Sequence, residues 1–287
     1  MAAIDPKRSL PTIPKRHASL AHICHRPGCA GRKIKDKPYQ SENLDRPCRH
    51  LHAPGYTDDI FLVVAARPGT RCNMNSANIV WLASYPRSGN TFLRTILWQC
   101  FGLRSASLYA NDLARNRELE EYVGHIEHGI NGQVEFPSGN IPLVKTHGHP
   151  SDDNPAIYVV RDGRAASVSL WKMLEGYVPL EAIIEGRQPF GTWSSHVQAW
   201  KPYERRNTLL LKYEDMNSNL ADALKKISQF LERDILKESI PDRTTIASAE
   251  GKWVTTHSDW RSNISDDLLE KFNRLNEPML KKMGYSL

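Results

Sequence analysis

The chain is 287 residues long, 40% hydrophobic and 24% charged. These values suit a globular protein and argue against a collagen-like repeat, a long disordered chain or a disulfide scaffold, since five cysteines are few at this length. The net charge of +6 suggests a nucleic-acid partner until it is located: residues 1 to 73 hold 13 Lys and Arg against 6 Asp and Glu, and the remainder hold 25 against 26, so the basic character belongs to the first quarter of the chain.

Those first 73 residues also carry eight of the 18 prolines, five of the 11 histidines and four of the five cysteines, with no sustained apolar period. They are expected to be poorly folded. Cys24, Cys29 and Cys48 lie near His22, His25, His50 and His52, but a Cys-x4-Cys pair without a second pair is a weak zinc signal. The readings are a zinc site, a flexible arm, or a segment foreign to the natural protein. The last is favoured because Met74 directly precedes the first well-patterned strand. Acidic residues and prolines interrupt any amphipathic targeting helix. The longest apolar run, Ile60 to Ala66, is seven residues, far short of the roughly 18 to 20 a membrane-spanning helix needs. The expected organisation is a basic segment over 1 to 73 and one self-sufficient domain over 74 to 287.

From Ile79 onward strands and helices alternate. Apolar runs at Ile79 to Ala83, Ile141 to Val144, Ala156 to Val160 and Thr208 to Leu211 have the length and character of strands buried on both faces. Phe92, Leu93, Ile96, Leu97, Cys100 and Phe101 mark one helix. Leu220, Leu224, Ile227 and Leu231 mark another, capped by Asn217 or Ser218. The last helix spans about Ser265 to Met283, with Asp266 and Asp267 at its positive end and Gly284 as its stop. The alternation predicts an α/β three-layer sandwich around a mainly parallel sheet, and the strand-loop-helix passage at its first strand makes the expected type P-loop nucleotide-binding.

The first strand runs into Tyr85-Pro86-Arg87-Ser88-Gly89-Asn90-Thr91 and then into a helix. A helix N-terminus offers unpaired N–H groups and a favourable dipole to an anion, and Gly89 lets backbone approach it closely. Arg87 adds a cation; Ser88, Asn90 and Thr91 add short polar groups. The plain alternative is an ordinary capped turn. The usual triphosphate loop is absent, since no Lys follows Gly89.

A second strand-to-helix passage, Ile157 to Ser169, places Arg161 at the strand end and Ser169 two turns into the helix. An Arg binds a dianionic phosphate through two N–H groups, and a hydroxyl adds a neutral donor. The alternative has Arg161 pairing with Asp162 and Ser169 on a helix surface. His147, in Leu143-Val144-Lys145-Thr146-His147, lies past a strand's carboxyl end, where ligands of α/β sheets bind. Its ordinary pKa of ~6.5 suits a base at neutral pH. His149 is its nearby competitor.

Ser84 to Arg94 resembles the 5′-phosphosulfate loop of sulfotransferases that use 3′-phosphoadenosine 5′-phosphosulfate (PAPS), typically Tyr-Pro-Lys-Ser-Gly-x-Thr-Trp. Arg87 stands for the commoner Lys, and Phe92 for the Trp near the adenine. The resemblance implies that Arg161 and Ser169 hold the 3′-phosphate, that His147 takes the acceptor's proton and that Lys145 faces the sulfonate. Phe190 to Trp200 is similar to a Gly-x-Trp-x-x-His-Val segment that packs and lines the acceptor side. Leu210 to Asp215 resembles the Tyr-Glu-Asp segment, which implies that Tyr213 approaches the adenine. Asp259 to Asn263 with Leu268 to Phe272 is similar to the closing segment. The family's Arg-Lys-Gly triplet has no clean counterpart in Ala249 to Ser258, where Gly251 and Lys252 substitute. The resemblance covers about 78 to 284.

It implies a cytoplasmic transferase that uses PAPS and no metal. A small molecule or glycan presents the accepting hydroxyl or amine, with no nucleic-acid partner and no membrane span. Acceptor walls are expected in 104 to 140 and 171 to 189, with Tyr109, Tyr122, Phe136 and Tyr177 available. Two other readings compete. One is a P-loop kinase or NTPase using Asp162 and Asp215; the other is a nucleic-acid-binding protein acting through the basic arm.

Overall fold

The computed structural model describes residues 79–110, 112–130, 132–249 and 259–287. The readings of residues 1 to 73, the boundary at Met74 and the substitution by Gly251 and Lys252 lie outside the described residues. Within them, β1 (Val80–Ser84), β2 (Ser105–Ser107), β3 (Leu143–Thr146), β4 (Ala156–Val160) and β5 (Thr208–Lys212) form one sheet in the order β2-β3-β1-β4-β5. Every pairing is parallel. The register sets Ala83 beside Thr146, Ser84 beside Val159 and Val160 beside Lys212. The carboxyl ends of β1, β3, β4 and β5 therefore emerge at one edge of the sheet.

Alternation along β1 explains the layers. Val80 and Leu82 face a core that includes Leu93, Ile96 and Leu97 of α1 (Asn90–Phe101), and Leu224, Ile227 and Leu231 of α7 (Leu220–Leu231). Trp81 and Ala83 face the opposite core. Ala166 and Leu170 of α3 (Gly163–Met173), Trp193 and Trp200 of α5 (Trp193–Trp200), and Phe272 and Leu280 of α9 (Asp266–Lys282) build that one. Each fully buried Leu contributes about 1.5–3 kcal/mol. The helices between are α2 (Arg117–Val123), α4 (Leu180–Ile184), α6 (Tyr213–Ser218) and α8 (Arg243–Ala249). The α/β three-layer architecture and the parallel sheet agree with the sequence reading.

Some boundaries differ. β3 begins at Leu143 rather than Ile141 because Pro142 has no N–H to give the ladder, although its carbonyl accepts from Val80 N at 2.9 Å. The cap of α7 is Asn219, whose Oδ1 accepts from Asp222 N at 3.1 Å; Asn217 and Ser218 instead end α6. Ser265, where the sequence reading begins the last helix, is instead the cap of α9, and Gly284 beyond it takes φ +73°. No described helix is long and apolar enough to cross a membrane.

Candidate active site

The loop between β1 and α1 reverses direction through two left-handed residues, Arg87 at φ +64° and Gly89 at φ +102°. No side chain caps α1, so its first-turn N–H groups are open to an anion. The Ser88 hydroxyl is buried without a protein partner. Asn90 turns inward and donates to the Leu82 carbonyl at 2.8 Å, bracing the loop on its own strand.

A cavity of about 330 Å³ opens here, within the range of ligand sites. It is lined by Arg87 and Gly89 from the loop, Asn90, Thr91 and Phe92 from the first turn of α1, Lys145 near the end of β3 and His147 just beyond it, Arg161 beyond β4 and Tyr213 beyond β5. All of them cluster at carboxyl strand ends, the ligand edge of an open α/β sheet. Tyr213 sits between Phe92, in an edge contact at 6.1 Å, and the Arg161 guanidinium, 4.6 Å from its ring centre. Arg161 also donates to the Arg87 carbonyl at 3.1 Å, and Arg87 Nε–H donates to Ser169 Oγ at 3.1 Å. Ser169 thus reaches the loop through Arg87.

The bonds of His147 define its tautomer. Its Nδ1 lies 2.8 Å from the Ser84 carbonyl; a carbonyl only accepts, so Nδ1 carries the proton and Nε2 keeps a lone pair. Its backbone N–H donates to Tyr109 Oη at 2.8 Å, and the Tyr109 ring stacks on it at 5.8 Å. Burial first, and the Lys145 charge second, push the imidazole pKa down to about 3. The ring is neutral at physiological pH. His149 is exposed and does not line the cavity.

A family profile described as "Sulfotransferase domain" matches residues 78–284. The chain belongs to the sulfotransferase family. Sulfotransferase 1E1 of Homo sapiens is 24% identical over 245 residues, spanning 70% of this chain and 83% of that protein. Sulfotransferase 1 family member D1 of Mus musculus is 30% identical over 182 residues, 55% of this chain and 60% of that one. Among solved structures, retinol dehydratase in complex with retinol and PAP shares the fold at a TM-score of 0.51 and 18% identity, covering 73% of this chain and 82% of that chain.

This sulfotransferase differs from the sequence reading in where its site residues point. The Lys145 ammonium does not stand alone before the cavity: it pairs with Asp112 at 2.6 Å, a carboxylate that no sequence motif marks. In the segment Phe190 to Trp200, Phe190 lines the cavity, whereas Trp193, His196 and Trp200 brace the loops from beneath. Trp193 Nε1–H donates to the Arg161 carbonyl at 3.1 Å, His196 Nε2–H to the His147 carbonyl at 3.1 Å and Trp200 Nε1–H to the Gly148 carbonyl at 2.9 Å. Of the four aromatic acceptor-wall candidates, Tyr109 touches His147, while Tyr122 packs beside Leu119, Phe136 is partly buried against the core that α3, α5 and α9 build, and Tyr177 is exposed. Asp162 caps α3 and pairs with Arg164 at 2.8 Å, and so is committed to structure.

Proposed function

We propose that this sulfotransferase moves the sulfonate of PAPS onto a hydroxyl or amine acceptor, with His147 as general base. The observation that carries the reading is the convergence on one cavity of the uncapped α1 loop, the Arg161 and Tyr213 pair, and a His147 whose Nε2 keeps its lone pair. The open N–H groups and the partnerless Ser88 hydroxyl fit an anionic group at the loop. Arg161 and Ser169 take the 3′-phosphate, and Phe92 and Tyr213 supply apolar faces for the base. Retinol dehydratase, which shares the fold, is complexed with PAP, the product nucleotide of such a transfer.

His147 Nε2 accepts the acceptor's proton as the new bond to sulfur forms on the opposite side from the departing phosphate oxygen. The sulfur–oxygen bond to the 5′-phosphate breaks, and its electron pair stays on that phosphate. Arg87, Lys145 and the α1 N–H groups offset the negative charge as it shifts. A ring held neutral is ready to accept, though a low pKa makes it a weak base. The negative charge of a nucleotide beside it raises its basicity when the base is needed.

In the His147→Ala variant, transfer should fall by ~10² to 10⁴, the usual worth of a positioned base, with affinity for PAP nearly unchanged. His149→Ala should behave as wild type. Single-turnover transfer from labelled PAPS and calorimetry with PAP measure the two quantities. Wild-type transfer by His147→Ala would remove the base assignment, and failure of the wild-type protein to bind PAP would remove the donor.

A further inference from the structure

We propose that Asp112 is a positioning residue for Lys145: it anchors the ammonium in the cavity wall and keeps it in its charged form for the transfer. The inference rests on the reading of Lys145 as a group that offsets charge on the sulfonate.

Asp112 opens a 3-10 turn (Asp112–Arg115) after β2, and its carboxylate is 3% exposed. Both oxygens are committed. Oδ1 accepts from Lys145 Nζ at 2.6 Å and Oδ2 from Arg94 Nη1 at 2.6 Å. Arg94, fully buried on α1, is tied to the edge strand by Nε to Ser105 Oγ at 2.8 Å and Nη2 to the Ser105 carbonyl at 3.2 Å. Its Nη2 also meets His125 Nδ1 at 2.7 Å. The carboxylate is therefore held from behind by a buried group that is itself tied to Ser105 and His125, and it presents its other oxygen to Lys145.

The charged and titratable groups facing Lys145 come from four directions. Asp112 and Arg94 lie on one side, Arg87 reaches in from the β1 loop, the Tyr109 ring is 5.8 Å away, and His147 follows two residues on. His125 faces Asp112 from beyond α2. Arg94, Asp112 and Lys145 together leave one net positive charge beside the loop that binds an anion. Burial and the neighbouring guanidinium groups favour an uncharged Lys145, and Asp112 is the group that opposes them. An Arg at this position would keep its charge regardless; a Lys needs the carboxylate.

A purely structural Asp112 would neutralise Arg94 without governing a titration, so the test follows pH. Transfer from PAPS and affinity for PAP are measured from about pH 6 to 10 in the full chain and in D112N, D112E and D112N/K145R. D112N should lose transfer on the alkaline side at least about one pH unit before wild type. D112N/K145R should regain the alkaline range, since the guanidinium does not titrate there, and D112E should keep the wild-type alkaline limb at a reduced rate. Coincident alkaline limbs for D112N and wild type, or a double variant shifted like D112N, would overturn the proposal. Should D112N not fold, D112S takes its place: a limb shifted to lower pH supports the role and a limb coincident with wild type overturns it. Loss of the donor or base reading is read separately, from wild-type PAP binding and from His147→Ala. The pH dependence of PAP affinity in D112N addresses Lys145 without reference to turnover.

Discussion

Gly89 sits at φ +102°, and a Cβ built there would lie 2.4 Å from Tyr213 Cδ2. Both facts exclude a side chain: the conformation is costly for an L-residue, and the contact would displace a ring that also packs against Arg161 and Phe92. In the sequence, close approach of backbone to phosphate accounts for Gly89; the tertiary contact adds a second reason that local pattern does not carry, since Tyr213 arrives from the start of α6, far along the chain. Gly89→Ala should therefore lower stability by roughly 1–3 kcal/mol, the cost of a sparsely populated backbone state, and weaken PAP binding at least about tenfold, equal to ~1.4 kcal/mol. Denaturant unfolding and calorimetry measure these. Wild-type affinity in that variant would show that the place of Tyr213 does not matter to the nucleotide. Arg87, at φ +64°, carries similar strain without being a glycine, as expected where a loop is held for function.

At the scale of elements, α5 is the least conspicuous and among the most consequential. Thr192 caps it, accepting from Ser195 N at 3.0 Å, and its inner face directs three ring N–H groups at carbonyls of the two loops that carry Arg161 and His147. Trp193→Phe keeps most of the packing volume and deletes one donor, leaving the Arg161 carbonyl without that partner. The expected cost is roughly 1–3 kcal/mol, with weaker PAP binding because Arg161 is less firmly placed. Unchanged affinity would show that α3 and Tyr213 hold Arg161 unaided. Elements such as α1 and α7 were legible in sequence because their apolar period spans three turns, and β4 because its run is wholly apolar. β2 was not, being Ser-Ala-Ser, a strand made by its neighbour β3 rather than by propensity. The same cause hid Asp112. Its meaning depends on Arg94 and Lys145, which the chain brings to it from another helix and another strand.

Across the whole molecule, the site is held by histidines that are neutral, and this makes folding depend on pH. Tyr158 Oη–H donates to His196 Nδ1 at 2.8 Å, and His196 Nε2–H holds the His147 carbonyl, so the His196 ring has no open place for another proton within this network. His125 accepts from Arg94 through Nδ1. Burial, the largest cause in each case, lowers the pKa of His147 and His196 to about 3 and of His125 to about 4. Below the ordinary histidine value of ~6.5 the unfolded chain binds these protons and the folded chain does not. The stabilisation is complete above that value and is lost as pH falls from there toward 3 to 4. Each such group contributes up to ~1.4 kcal/mol per pH unit within the window. Unfolding free energy from denaturant titration should fall steeply between about pH 6.5 and 5, and His196→Gln, which retains an N–H donor without a titratable ring, should flatten that slope. Stability independent of pH across the window, or an unaltered slope in the variant, would show that the rings accept protons without unfolding.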